Sequence, residues 1–333
     1  MNELRHQIEK EAQAPAMGPQ VAYVTVGEEA DGQRIDNYLL KSAKGVPKSH
    51  VYRILRSGEV RVNKGRVDAT YRLKAGDVVR IPPIRVATAA PSTAFVPPAS
   101  FPVLFEDAHL LIIDKPAGVA VHGGSGVAFG VIEQLRQAHP EARFLELVHR
   151  LDRETSGILM LAKKRSALVG LHEQIRGNAL DKRYFACVAG EFANARQHVK
   201  FPLFKYTTPD GERRVRVQAD GLASHTVFNR VEAFSGFTLL EAELKTGRTH
   251  QIRVHLAHSG FPIAGDEKYG DFALNKALAR AGARPGLRRM FLHAHQLTFA
   301  HPSTGEAITV RAPLPAECQA FLQQLREQAG RPG

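Results

Sequence analysis

The order of elements along the chain predicts an α+β fold in two parts, a small basic unit followed by a larger one. Three observations predict it. Short strand-like and helix-like segments are interleaved without the regular alternation that a doubly wound parallel sheet requires. The stretch from Pro82 to Pro102 holds six prolines among many Ala, Ser and Thr residues, a composition that favours an extended tether over a packed core. The chain has 333 residues, 44% of them hydrophobic, which is enough for roughly two domains.

Taken in order, residues 1–20 are polar and lack an apolar signal-peptide core, so they are expected to form a disordered tail. The first unit is assigned to residues 21–83. Ile35, Leu39 and Leu40 give helical spacing, and Pro47 ends that helix. Ser49 is the expected cap of a second helix that buries Val51, Ile54 and Leu55 and turns Lys48, His50, Arg53 and Arg56 outward. Val60 and Val62 alternate with Arg61 and Asn63 as in a strand, and Val78 to Ile81 closes the unit. After a linker at 84–100, the larger unit is expected over 101–328. Its unbroken apolar runs, Leu110 to Ile113 and Ile158 to Ala162, read as fully buried strands. Helices are expected over Phe129 to Ala138, after a Ser166 cap, over His250 to Ser259 and over Glu317 to Gln328. Strands are expected over Arg183 to Val188, Val215 to Val217, His225 to Val231, Phe237 to Leu244, Leu292 to Phe299 and Ala307 to Val310.

The formal net charge of +12 points to a polyanionic partner, most simply nucleic acid. No run of 18 apolar residues occurs, so no transmembrane helix and no membrane partner are expected. Cys187 and Cys318 lie far apart and outside any CxxC, which argues against a disulfide framework or structural zinc and fits a reducing cytoplasm. The loop His122-Gly123-Gly124-Ser125-Gly126 resembles a phosphate cradle but lacks the GK[ST] ending of a P-loop. His250, His255 and His258 are spaced by five and three, not as the i, i+4 pair of a zinc helix. No metal and no cofactor are therefore expected.

The nine residues His149-Arg150-Leu151-Asp152-Arg153-Glu154-Thr155-Ser156-Gly157 carry the strongest chemical signal. An acid set between fixed cations is favoured in its charged form, and such a carboxylate suits nucleophile or base chemistry. In isolation an Asp flanked by arginines is more often an ion-paired surface acid, since structural ion pairs also perturb pKa. Asp152 and Glu154 could also form a glycosidase pair, but two residues apart on a loop they need not face one bond, and a sugar hydrolase has no use for a basic first unit.

Read together, these segments resemble the RluA family of pseudouridine synthases. The resemblance is carried by DKPAG (Asp114 to Gly118), the HRLDRETSG string, Lys182-Arg183-Tyr184, TGRTHQIRVH (Thr246 to His255) and LHAHQLTFAHP (Leu292 to Pro302). The first unit resembles the S4 RNA-binding module in Gly45-Val46-Pro47-Lys48-Ser49 and Glu59-Val60-Arg61-Val62-Asn63-Lys64. The resemblance implies a pseudouridine synthase fold around a central mixed, mainly antiparallel sheet, with an S4-like unit before it. It implies Asp152 as the catalytic carboxylate, Tyr184 as the active-site tyrosine, and either Arg253 or Arg248 as the basic partner of Asp152. Arg150 would help turn the target base out of the RNA, with His149 and Thr155 as further substrate contacts. Lys48, Arg53, Arg56, Arg61 and Lys64 would hold RNA phosphates. The implied partner is 23S ribosomal RNA or a large-subunit precursor, met in the cytoplasm by a monomer without cofactor. Two alternatives stay open: a synthase with another rRNA or tRNA target, and a non-catalytic RNA-binding assembly factor.

Overall fold

Strands β5 (Leu110–Lys115) and β7 (Ser156–Ala162) show how the larger unit is built. Leu111, Ile113, Leu159 and Leu161 enter one hydrophobic core, whereas Leu110, Ile112, Ile158 and Met160 enter another. Because side chains alternate across a strand, the sheet is covered on both faces, which is why these runs are unbroken rather than alternating.

The computed structural model describes residues 20–329 apart from 44–45, 85–95, 125–126, 281 and 283. The expected tail and most of the expected linker therefore lie outside the described residues. The chain divides into two units, Met1–Phe95 and Val96–Gly333.

In the first unit, β1 (Ala22–Thr25) and β2 (Arg61–Val62) flank β3 (Val78–Ile81), all antiparallel. Helices α1 (Ile35–Ser42) and α2 (Lys48–Arg56) pack on a core that includes Ile35, Leu39, Val51, Ile54 and Val79. Ser49 does not cap α2. Pro47 stands at the cap position, and Ser49 lies inside the first turn. Proline's fixed φ suits a helix entry, and no hydrogen bond is lost there. Asp36, buried on α1, accepts from Arg34 at 2.7 Å and from the Tyr52 hydroxyl of α2 at 2.9 Å, so one carboxylate ties the two helices.

In the second unit, β4 (Val103–Glu106), β5, β7, β14 (Leu292–Ala300), β8 (Asp181–Ala189), β13 (Phe237–Leu244), β12 (Thr226–Phe234) and β9 (Arg196–Val199) lie side by side in that order. Strand β15 (Ala307–Arg311) adds to β14, and β6 (Glu146–Leu147) to β7. Every pairing is antiparallel except β14 with β7, so the sheet is mixed and mainly antiparallel. Strands β10 (Leu203–Thr207) and β11 (Arg213–Val217) form a separate hairpin. One face is covered by α3 (Val131–Ala138), α5 (Gln251–His258) and α7 (Ala316–Ala329), and the other by α4 (Arg165–Arg176). A short helix, α6 (Phe272–Leu278), is capped by Asp271, which accepts from the Leu274 amide at 3.0 Å. Ser166 is not a cap either; Lys164 holds that position on α4. Among the described residues, no helix is long and apolar enough to cross a membrane.

Asp107, His109 and His301 bring possible ligand atoms within 4.8 Å of one another. His301 Nδ1 accepts the Ser303 and Thr304 amides and its Nε2 sits 2.8 Å from Asp107, while Lys164 Nζ lies 3.2 Å from His109 Nε2. These contacts make the group a hydrogen-bonded tie between two turns.

Candidate active site

Strand β7 is the platform for the HRLDRETSG string. Gly157 has φ +108°, and a Cβ there would clash with the Ala294 carbonyl of β14. Only glycine lets the two parallel strands approach this closely. Just before β7, the Thr155 amide donates to Asp152 O at 3.1 Å and closes a turn that presents the Asp152 side chain. Lys115, fully buried at the end of β5, supports this turn. Its Nζ donates to the carbonyls of Pro116, Val119 and Arg153 at 2.7, 2.8 and 3.1 Å. Burial pulls the Lys115 amine down to about 7, against the pull of Glu154. Removing the buried ammonium would break three hydrogen bonds to carbonyls, so Lys115→Met is expected to cost about 2 kcal/mol of stability in a urea titration, with m unchanged.

The turn opens into a cleft of about 1000 Å³. Asp152, Tyr184, Arg253, Arg150 and Arg248 all line it. The cation that meets Asp152 is neither of its sequence neighbours. Arg150 reaches His122 at 3.5 Å, and Arg153 donates to Gly118 O and pairs with Glu154. Instead Arg253, in the first turn of α5, donates from Nη1 to Asp152 Oδ2 at 3.1 Å. Arg248 donates to Ala223 O, which resolves the choice between the two arginines in favour of Arg253.

Arg253 is itself held from behind. Its Nε and Nη2 donate to the two oxygens of Asp266 at 2.8 and 2.7 Å in a bidentate pair, with Arg253 and Asp266 side chains 7% and 1% exposed. Burial pushes the Asp266 carboxyl up, but the Arg253 hydrogen bonds and charge and the Lys268 and Tyr269 amides outweigh it and leave it lowered. Arg253 is disfavoured by its own burial and raised on balance by both carboxylates. Asp152, by contrast, is 26% exposed and reachable from the cleft.

Tyr184 is buried on β8, and burial, with a contribution from the Asp152 charge, raises its phenol well above the ordinary value. Two expected RNA contacts line the cleft but are also tied into the fold. His149 Nε2 accepts the Met160 amide at 3.1 Å, and burial holds its ring down to about 4, so it is a neutral acceptor serving the fold. The Thr155 side chain is only 2% exposed. In the first unit, Lys48, Arg53, Arg56, Arg61 and Lys64 are all exposed. Three residues at the site were not anticipated as such: Asp266, Tyr269 and, as a neighbour of Asp152, His250. Tyr269 lies 5.1 Å from the Arg253 guanidinium over its ring face and touches His250 Nδ1 at 2.8 Å. The Gly265-Asp266-Glu267-Lys268-Tyr269 segment carries no pattern that would single out either residue.

A basic first unit, and a second unit whose cleft holds a carboxylate bound by a buried arginine, are the features expected of a nucleic-acid-modifying enzyme. The RNA pseudouridylate synthase family model matches residues 109–258, and the S4 domain model matches residues 33–79. Ribosomal large subunit pseudouridine synthase C of Pasteurella multocida is 52% identical over 313 residues, 92% of this chain and 95% of its own length. The protein of that name from Escherichia coli K12 is 51% identical over 313 residues, 92% of this chain and 98% of its own. Among solved structures, human RNA pseudouridylate synthase domain containing 4 superposes with a TM-score of 0.55 at 27% identity, covering 68% of this chain and 93% of that one. The chain belongs to the RluA family of pseudouridine synthases and is an isomerase acting on RNA.

Proposed function

We propose that this protein converts specific uridines of 23S ribosomal RNA, or of a large-subunit precursor, to pseudouridine, with Asp152 as the catalytic carboxylate. The observation that carries the reading is the Asp152 side chain, open to the cleft on one side and bound by the Arg253 guanidinium on the other. In the reaction the N1–C1′ bond of uridine breaks and a C5–C1′ bond forms. The proton at C5 leaves and N1 gains one, so atoms and electrons balance without an oxidant, a nucleotide or a metal.

Asp152 can start this by attack on the ribose or the base, or by removing a ribose proton; each route uses a carboxylate oxygen on the open side while Arg253 hydrogen-bonds the other. To reach it the base must leave its stack, at a cost of a few kcal/mol. Arg150, exposed at the cleft, would fill the vacated space, and the Tyr184 ring would stack on the everted uracil, an interaction worth roughly 1–3 kcal/mol. Lys48, Arg53, Arg56, Arg61 and Lys64 would hold phosphates, which orient the RNA without reading its sequence. Two buried free thiols, Cys187 and Cys318, fit action in a reducing cytoplasm.

The test is to map pseudouridines in 23S rRNA from cells with and without the gene and then restore them with purified protein. Sites that persist in the deletion strain would overturn the target. Binding is also expected to weaken steeply with salt, the slope of log K falling by about 0.7–0.9 per phosphate neutralised. Arg56→Gln should lower that slope by about one, measured by filter binding from 50 to 200 mM salt.

A further inference from the structure

We propose that His250 is a positioning residue for Asp152, its ring locked with the proton on Nε2 so that this N–H faces the Asp152 oxygen left free by Arg253. The inference rests on the function proposed above. Three observations carry it. First, the two Asp152 oxygens have different neighbours: Arg253 Nη1 takes Oδ2 at 3.1 Å, while His250 Nε2 stands 3.8 Å from Oδ1. That gap is too long for a hydrogen bond but short enough to steer the oxygen, and it leaves the Oδ1 lone pairs open to the ribose.

Second, the other ring nitrogen is controlled. The Val215 amide of β11 donates to the Tyr269 hydroxyl oxygen at 2.9 Å, and that hydroxyl lies 2.8 Å from His250 Nδ1. With the phenol oxygen accepting from a backbone N–H, the arrangement the proposal requires has its own proton donated to Nδ1. A histidine accepting at Nδ1 carries its proton on Nε2. The opposite tautomer would turn a lone pair toward a carboxylate. Third, the backbone at His250 is left-handed, φ 53° and ψ 20°. Among the described residues the other non-glycine positions with positive φ are Asn63, Lys64 and Asn178, all exposed, whereas the His250 side chain is 15% exposed and lines the cleft. Such conformations in packed surroundings cluster where a side chain must be aimed.

Tyr269 thus touches both donors that face Asp152: its ring lies against Arg253 and its hydroxyl sets His250. Tyr269→Phe keeps the ring and removes only the hydroxyl, and His250→Gln supplies an N–H near the Nε2 position that needs no tautomer control. The test combines activity with a direct spectroscopic reading on the full-length protein. Selective ¹⁵N-histidine NMR should show His250 protonated at Nε2 in the wild type, with the Nδ1–H form appearing in Tyr269→Phe. On 23S rRNA transcripts, His250→Ala should lower kcat at least about tenfold with KM changed less than about threefold, and His250→Gln should recover most of that loss. Tyr269→Phe should cost about tenfold in kcat alone but less than about twofold in the His250→Gln background, a non-additivity expected only of coupled residues. A wild-type ring protonated at Nδ1, or an equal cost of Tyr269→Phe in both backgrounds, would overturn the proposal. If the wild type makes no pseudouridine on this RNA, the functional reading fails instead, and the NMR result still decides the tautomer.

Discussion

Asp152→Asn is expected to lower kcat by at least about 10⁴-fold while changing RNA affinity by less than about threefold. The amide is close to isosteric, and its oxygen can still accept from Arg253 Nη1, so the turn closed by the Thr155 amide should persist. What is lost is the anion: the amide that replaces it can neither bond to the ribose nor hold a proton taken from it. Losses of this size are usual when the central group of a catalytic set is neutralised. Affinity should survive because the phosphate contacts proposed for the first unit do not involve Asp152. Single-turnover conversion of a 23S rRNA transcript, read alongside filter binding, checks both halves. Conversion at a normal rate would show that another group starts the chemistry, and lost binding with conversion restored at saturating RNA would assign Asp152 to affinity instead.

Much of this site could be read from the residues in order, and the limits have physical causes. Runs such as Leu110 to Ile113 announce strands because burial on both faces leaves no polar positions. Strands β4 and β9 escape notice because they are four-residue edge strands with mostly exposed or half-exposed side chains, so burial writes little pattern into them. Helix α6 went unseen although Asp271 before Phe272 is an ordinary cap. The Asp152 motif is visible in the sequence, and the family resemblance narrows its partner to Arg253 or Arg248, but the residues themselves do not choose between the two. The flanking arginines look like the natural cations, yet Arg253 arrives from 101 residues away because α5 docks against the sheet. Residues Gln251 to Leu256 are all buried, so α5 has no polar face from which to tell Arg253 from Arg248. Asp266 was harder still, because its role depends wholly on that distant arginine.

Asp266→Ala is expected to destabilise the second unit by about 3–5 kcal/mol and to cost activity as well. Arg253 bonds two carboxylates with one guanidinium, and only Asp266 is fully out of water. Deleting Asp266 leaves Nε and Nη2 buried without acceptors, and a buried cation stripped of its partner is among the costliest single changes. Arg253→Met should cost a similar amount, because it strands the Asp266 carboxylate in turn. If the pair itself is the cause, the Arg253→Met/Asp266→Leu double variant should recover much of the stability, since an apolar pair of similar volume avoids both desolvation penalties. It should recover no turnover, because Asp152 would still lack its cation. Acid sensitivity supplies a second reading. The folded-state pKa of Asp266 is lowered, so its contribution is complete above the ordinary carboxylate value of 3.8 and is lost as pH falls below that toward the lowered value. The wild type should therefore lose stability through that window, and the double variant should show a shallower loss. Urea titrations from about pH 2 to pH 6 decide it, and parallel acid limbs in the two proteins would show that the Arg253–Asp266 pair does not hold the unit together.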